Sequence, residues 1–293
     1  MRRWRPSVFG NGYEGFSMSV SINQAFIKQY EADVHIAYQR MGAKLRNTVR
    51  VKTSATGATT VFQKTGTGIA ATKTRHGMVP VMNVEHTQVE CTLEDFYAGD
   101  WVDKMDEIKT NVDERKVLVN AGAYALGRKT DEMIVTAAAK ATTTVGDYST
   151  GLTKNLLLSA FETLNDADVP DDGQRFGIVG PHQWNELLNL DEFASSDFAS
   201  DAFPWLKGTE SRKWLGIVWL MHTGLPLDAA QRDCFLWHKT AIGHAIGAEV
   251  TSDITWHGDR AAWFVNNMMS QGATLIDSSG VVKIKVNDDA AIG

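Results

Sequence analysis

Gly68, Lys73 and Thr74 stand at nearly the spacing of a phosphate-binding loop, in which backbone N–H groups and a lysine cradle a nucleotide's phosphates. The glycine that should precede the lysine is absent, since Thr72 is there, and no apolar helix follows. A cradle is therefore not expected. The eight histidines show no HxxxH or HExxH spacing for a metal. His238 and His244 are six apart, and His35 falls on the polar side of its helix. No GxSxG elbow occurs, and neither Cys91 nor Cys234 has the histidine pattern of a thiol nucleophile. The acidic pairs Glu94-Asp95, Asp171-Asp172 and Asp288-Asp289 suit solvated turns. Glycoside hydrolysis would need two carboxylates converging across a cleft, which spacing does not show. Seven of the nine tryptophans lie between Trp184 and Trp263, which fits core and interface packing or an aromatic-lined sugar site. No catalytic constellation emerges, and neither a cofactor nor a metal is expected.

Charge is more informative. Residues 34–84 contain no acidic side chain but eight basic ones: Arg40, Lys44, Arg46, Arg50, Lys52, Lys64, Lys73 and Arg75. The residues before them net about +1 and those from Glu85 onward about −15, within an overall charge of −6. A basic segment and an acidic remainder are complementary, so copies could interlock head to tail. The same segment could also be a solvated loop or a nucleic-acid contact, although the net acidity argues against a dedicated nucleic-acid binder.

The elements that must carry these residues can be read from periodicity. Ile22, Phe26, Tyr30, Val34, Ala37 and Met41 fall on one face of a helix over 21–41, with Ser21 and Gln24 at capping-box spacing. Residues 45–98 are rich in Thr, Val and Gly, with turn signals at Gly57 and Gly66 to Gly68. They read as a long β-hairpin or extended loop, then a strand over 88–96. Large apolar residues are sparse over 54–74, so this stretch has no core of its own. A short helix over 103–109 precedes a long one over 110–140, whose small residues Ala121 to Gly127 would let another backbone approach. Then follow a helix over 154–166, a strand over 176–179, a helix opened by Pro181, and strands over 215–221 and 233–237. The segment 240–247 can turn helical. Strands over 250–256, 262–268, 273–276 and 281–286 finish the chain, the last two joined as a hairpin through Asp277 to Gly280. The whole is α+β, with no repeated βαβ rhythm. No run of 18 apolar residues offers a membrane-spanning helix, and two isolated cysteines suit a reducing interior. The first seventeen residues lack a signal-peptide core. They are read as either a leader upstream of a true start at Met18 or a short disordered arm.

The stretches SINQAFIKQYEADVHIAYQRMGAKLRNTVR, VECTLEDFYAGDWVD and DERKVLVNAGAYALGRKTDE, with the later FGIVGPHQWNELLN and CFLWHKTAIGHAIG, resemble the major capsid protein of a group of tailed bacteriophages. The resemblance covers the chain from Met18 onward. It implies the Hong Kong ninety-seven capsid fold, with an N-terminal arm at 18–47 and an extended loop at 48–84. A peripheral domain of 85–151 and 249–293 would carry a spine helix at 112–140, and an axial domain would span 152–248.

Function then becomes assembly. The resemblance implies a non-enzymatic subunit of hexamers and pentamers in the icosahedral head of a virion. The head would be built in the bacterial host's cytoplasm around double-stranded DNA without sequence specificity. A separate scaffolding protein and a portal protein would be its partners, a cement protein is left open, and no membrane is expected. Arg50, Lys52, Lys64, Lys73 and Arg75 are expected to contact acidic surface on a neighbouring copy. An encapsulin-like compartment would share the fold. A carbohydrate-active enzyme using the tryptophan-rich region, or a DNA binder using the basic loop, are rivals of other classes.

Overall fold

The computed structural model describes residues 42–109, 113–190, 193 and 211–291. The expected leader 1–17 and the helix over 21–41 lie outside these residues. Among the described residues there are three sheets. The first runs β1 (Arg50–Lys52), β11 (Ile242–His257), β12 (Ala262–Leu275) and β4 (Glu94–Asp103), antiparallel except for the parallel β1–β11 pair. The second runs β5 (Thr144–Val145), β13 (Val281–Asn287), β10 (Gln231–His238), β6 (Arg175–Val179), β8 (Ile217–Met221) and β7 (Ser211–Trp214), with β9 (Leu227–Asp228) paired to β10. The third is a hairpin of β2 (Thr59–Thr65) and β3 (His86–Thr92). Four α-helices accompany them: α1 (Lys104–Lys109), α2 (Glu114–Ala139), α3 (Lys154–Asp166) and α4 (Pro181–Leu188).

Helix α2 has 26 residues and so spans about 39 Å. It packs on one face of the four-stranded sheet. That face is set by register: Phe96, Ala98 and Val102 of β4 pair with Met269, Asn267 and Trp263 of β12. Gly122 leaves room for the Asn267 amide, which a Cβ there would meet at 2.1 Å. Gly127 does the same for the backbone of Gly42 and Ala43, where a Cβ would come within 2.7 Å. The small residues in mid-helix thus admit both a sheet side chain and the incoming chain. Alternate residues point the other way. Asp95, Tyr97, Gly99 and Trp101 pair with Ser270, Met268, Asn266 and Phe264 on the face that α2 does not cover.

The larger core lies around the second sheet. Leu157, Ala160 and Leu164 form the buried stripe of α3, whose first turn is capped by the Thr153 side chain accepting from the Leu156 N–H at 3.4 Å. They belong to one cluster with Ile178, Phe235, Leu236, Trp237, Val282 and Ile284, all fully buried. Trp184, Trp214, Trp219 and Trp237 are also buried there, so these tryptophans serve packing. Fully burying such a side chain stabilises by roughly 1.5–3 kcal/mol. Leu45, Val49 and Ile134 join the same cluster, and the Trp237 indole N–H donates to the Thr48 carbonyl at 3.1 Å. The segment 42–49 is therefore wedged between α2 and both sheets.

Several sequence expectations are corrected. The segment 240–247 is not helical: after a short turn at Lys239–Ala241 it begins β11. Residues Ile242 to Ile246 are buried on both faces of that strand, so the alternation that marks a half-buried strand is missing. Residues 273–276 and 281–286 are not a hairpin, because β12 pairs with β11 and β4 whereas β13 pairs with β10 and β5. Strand β13 therefore belongs with 152–248 rather than with the remainder of 249–293, and β11 runs across the expected boundary at 248. Strand β1, placed inside the extended loop by sequence, is an edge strand of the first sheet. The expected strand over 88–96 is two strands, broken at Leu93.

Candidate assembly surface

The β2–β3 hairpin is fastened at its root. Phe62, 2% exposed, packs with Ala55, Cys91, Ala245 and Ile276 in a small core separate from the main one. Gly243 makes the space, since a Cβ there would lie 2.7 Å from the Phe62 ring. Backbone bonds from Ala55 N–H to the Ile246 carbonyl and from Leu93 N–H to the Ala58 carbonyl, both 2.9 Å, tie the root to its surroundings. Burial pushes the Cys91 thiol above its ordinary pKa, so it behaves as a small apolar side chain in this cluster.

Three of the five expected contact residues take part in this fastening. The Lys52 ammonium donates to Thr60 Oγ1 at 2.7 Å and to the Val61 carbonyl at 3.3 Å. Lys64 pairs with Asp277 at 2.8 Å. Burial alone would raise the Asp277 carboxyl, but bonds from Lys64 and Ser279 outweigh it and hold it below the usual carboxylate range. The Arg50 guanidinium sits 5.8 Å from the Phe62 ring centroid. Their partners are in their own chain, eight to 213 positions away or across strands, which sequence spacing does not reveal. Lys73 and Arg75 lie elsewhere, both on the exposed connection over 66–85.

That connection closes on itself where the Gly66 N–H donates to the Glu85 carbonyl at 2.8 Å. Beyond this bond lie five large apolar side chains in water: Ile69 is 87% exposed, Met78 94%, Val79 74%, Val81 87% and Met82 57%. Charge directed attention to Lys73 and Arg75, and these apolar residues were missed. The signal was present in Met78 to Val84, an apolar run interrupted by Pro80 and therefore unable to form a core element of its own.

The uncovered face of the four-stranded sheet is the other unusual surface. Tyr97 is 67% and Trp101 37% exposed. Trp101 stacks near Phe264 at 4.6 Å and His257 at 5.0 Å, with the Arg260 guanidinium 4.5 Å over its ring. A shallow cavity of about 150 Å³ lies between Asp95, Tyr97, Thr251 and Met268. Asp95 and Asp103 on β4 and Asp253 on β11 share this face by register, so it is aromatic and acidic together.

A family model described as phage capsid protein matches residues 22–288. The chain belongs to that phage capsid protein family. Among solved structures, a protein of Mycobacterium phage Che8 superposes with a TM-score of 0.68 at 18% identity, covering 91% of this chain and 98% of its own. The capsid of Ralstonia phage GP4 gives 0.67 at 11% identity, covering 96% and 98%. The capsid of a native GTA particle gives 0.67 at 12% identity, covering 94% and 100%. No curated protein matches the sequence. The fold is therefore the phage capsid fold, of the Hong Kong ninety-seven type. The chain is a structural major capsid protein whose repeated copies build the shell of a virion.

Proposed function

We propose that this capsid subunit forms hexamers and pentamers of an icosahedral head around double-stranded DNA, with residues 66–85 of each copy lying on the sheet face of a neighbour. The observation that carries this reading is the exposure of Ile69, Met78, Val79, Val81 and Met82 on a connection whose root is fastened. Magnitudes decide what drives the contact. Burying one such apolar side chain contributes roughly 1.5–3 kcal/mol, whereas an exposed ion pair from Lys73 or Arg75 contributes about 0–1 kcal/mol. The apolar residues supply the affinity. The two cations, facing Asp95, Asp103 and Asp253, supply orientation and encounter rate. The remaining expected residues, Arg50, Lys52 and Lys64, act by holding the root.

In this reading assembly takes place in the host cytoplasm with a separate scaffolding protein and a portal protein, and a cement protein can bind the finished surface. The net charge of −6 fits DNA held by confinement, without sequence-specific contacts. The test is a loop replacement. Thr65 and His86 are paired at the end of the hairpin, so an Asn-Gly turn can join β2 to β3 in place of 66–85. The expected result is a folded subunit that yields no closed particles by negative-stain microscopy. Closed shells at the wild-type yield would refute the reading. Within the intact loop, Met78→Asp with Val81→Asp should abolish shells, while Lys73→Ala with Arg75→Ala should only slow their formation.

A further inference from the structure

Helix α2 meets the four-stranded sheet through a seam in which three polar side chains are buried: Thr130 is 1% exposed, and His244 and Gln271 are 0%. Thr130 Oγ1 lies 2.8 Å from Gln271 Oε1 and 3.1 Å from the Leu126 carbonyl. Gln271 Oε1 is in turn 3.0 Å from His244 Nε2. Beyond that the relay stops, because His244 Nδ1 and Gln271 Nε2 have no hydrogen-bond partner. With Gln271 Oε1 accepting, His244 Nε2 carries the hydrogen and Nδ1 is a bare acceptor. A second proton would create a buried charge and a buried N–H with nothing to receive it. Turning the Gln271 amide over does not change this. His244 Nε2 would then accept from the amide, and protonation would set two donors against each other.

We infer that His244 is a proton-sensitive lock on this seam: neutral, it completes the Thr130–Gln271–His244 relay without charge, whereas protonated it keeps its bond to Gln271 but leaves a buried charge and an unreceived Nδ1–H between α2 and the sheet, so acid loosens α2 from the sheet. The charged surroundings do not compensate. Arg46 opposes a positive imidazole, and its partner Glu249, bonded to it at 3.0 Å, offsets it. Asp131, on α2, is already engaged by the N–H groups of Lys44 and Leu45 and by His222. The neighbouring strands place only Val51 and Ala273 beside His244 in register. Burial accordingly pushes the imidazole below its ordinary 6.5, the bond to Gln271 opposing this without cancelling it.

The sign follows from linkage. A group that binds its proton more weakly when folded contributes stability that is complete above the unfolded value and declines as pH falls below it. For one such group the unfolding equilibrium constant rises by at most about tenfold per pH unit in that window. The lock belongs to the single subunit, so it stands or falls independently of how copies contact one another.

The test is urea unfolding of the full chain between pH 7.5 and 5.0, for wild type and His244→Gln, whose side chain can bond Gln271 but does not titrate there. The wild type should lose stability relative to the variant as pH falls below about 6.5, by no more than about tenfold in equilibrium constant per pH unit. Parallel curves would overturn the inference. Should the variant fail to fold, titration of the His244 C2 proton in the wild-type protein decides. A midpoint below 6.5 supports the lock, and one at or above 6.5 removes it.

Discussion

Asp131 is where the capsid subunit should be most sensitive to a single atom-scale change. Its carboxylate is 0% exposed and receives the Leu45 N–H at 3.0 Å, the Lys44 N–H at 3.2 Å and His222 Nε2 at 3.0 Å. His222 Nδ1 accepts from the Gly224 N–H at 3.2 Å, so Nε2 bears the hydrogen that Asp131 receives. One side chain of α2 thus holds both the incoming chain and the end of β8. Asp131→Ala removes the acceptor that the Leu45 and His222 donors use in full burial and the Lys44 donor in partial burial. At about 1–3 kcal/mol for each buried unsatisfied donor, the loss is about 2–6 kcal/mol. For a chain of this size that corresponds to a fall in Tm of roughly 3–10 °C, read from thermal unfolding by circular dichroism. Asp131→Asn keeps the shape and one acceptor, and should lie between Ala and wild type. Limited trypsin digestion should show faster cleavage after Lys44 and Arg46 in both variants. A Tm for Asp131→Ala within about 2 °C of wild type would mean that the junction does not hold the chain, and the reasoning would fail. A double-mutant cycle with His222→Ala should return a coupling of about 0.5–3 kcal/mol.

Two further outcomes follow from close packing and from charge. Gly243→Ala drives a methyl group into the Phe62 ring at 2.7 Å and should destabilise by about 1–3 kcal/mol, with protease sensitivity rising at the hairpin root. An unchanged digestion pattern would show that Phe62 does not fasten it. Arg232 grips Asp288 through two bonds of 2.7 and 3.1 Å. Burial would raise the Asp288 carboxyl, but the bonds from Arg232 and Gln183 prevail and hold it below its ordinary value. That contribution to stability is present above the unfolded value of 3.8 and is lost as pH falls through the depressed folded one. Arg232→Ala should therefore cost about 2–4 kcal/mol at pH 7, and the gap to wild type should narrow in urea titrations at pH 3. A gap that stays constant with pH would exclude the pair as its origin.

Local signals made much of the framework readable in advance. The run over 154–166 marked α3, Pro181 marked the first position of α4, and the small residues around Gly127 announced a close backbone approach. Each of these depends on residues within a few turns of one another. The segment 240–247 misled because burial on both faces removes the alternation that distinguishes a strand. The turn at Asp277 to Gly280 misled because a short polar turn between two apolar runs is compatible with a hairpin or with a crossing between sheets. Only the pairing of β13 with β10 decides between them.

The same division holds at the surface. Sequence alone determined that the segment from 34 to 84 is basic, that it lacks a core of its own, and that no catalytic or metal-binding pattern accompanies it, because composition and spacing are properties of the chain. Which of its cations face outward was settled by tertiary structure. Lys64 meets Asp277 across 213 positions, Lys52 meets the start of strand β2, and Phe62 is buried against Gly243 from another sheet. Lys73 and Arg75 stay exposed beside an apolar row whose exposure no periodicity announces. A side chain's environment is set by whatever the fold brings beside it, and here that partner lies most of the chain away.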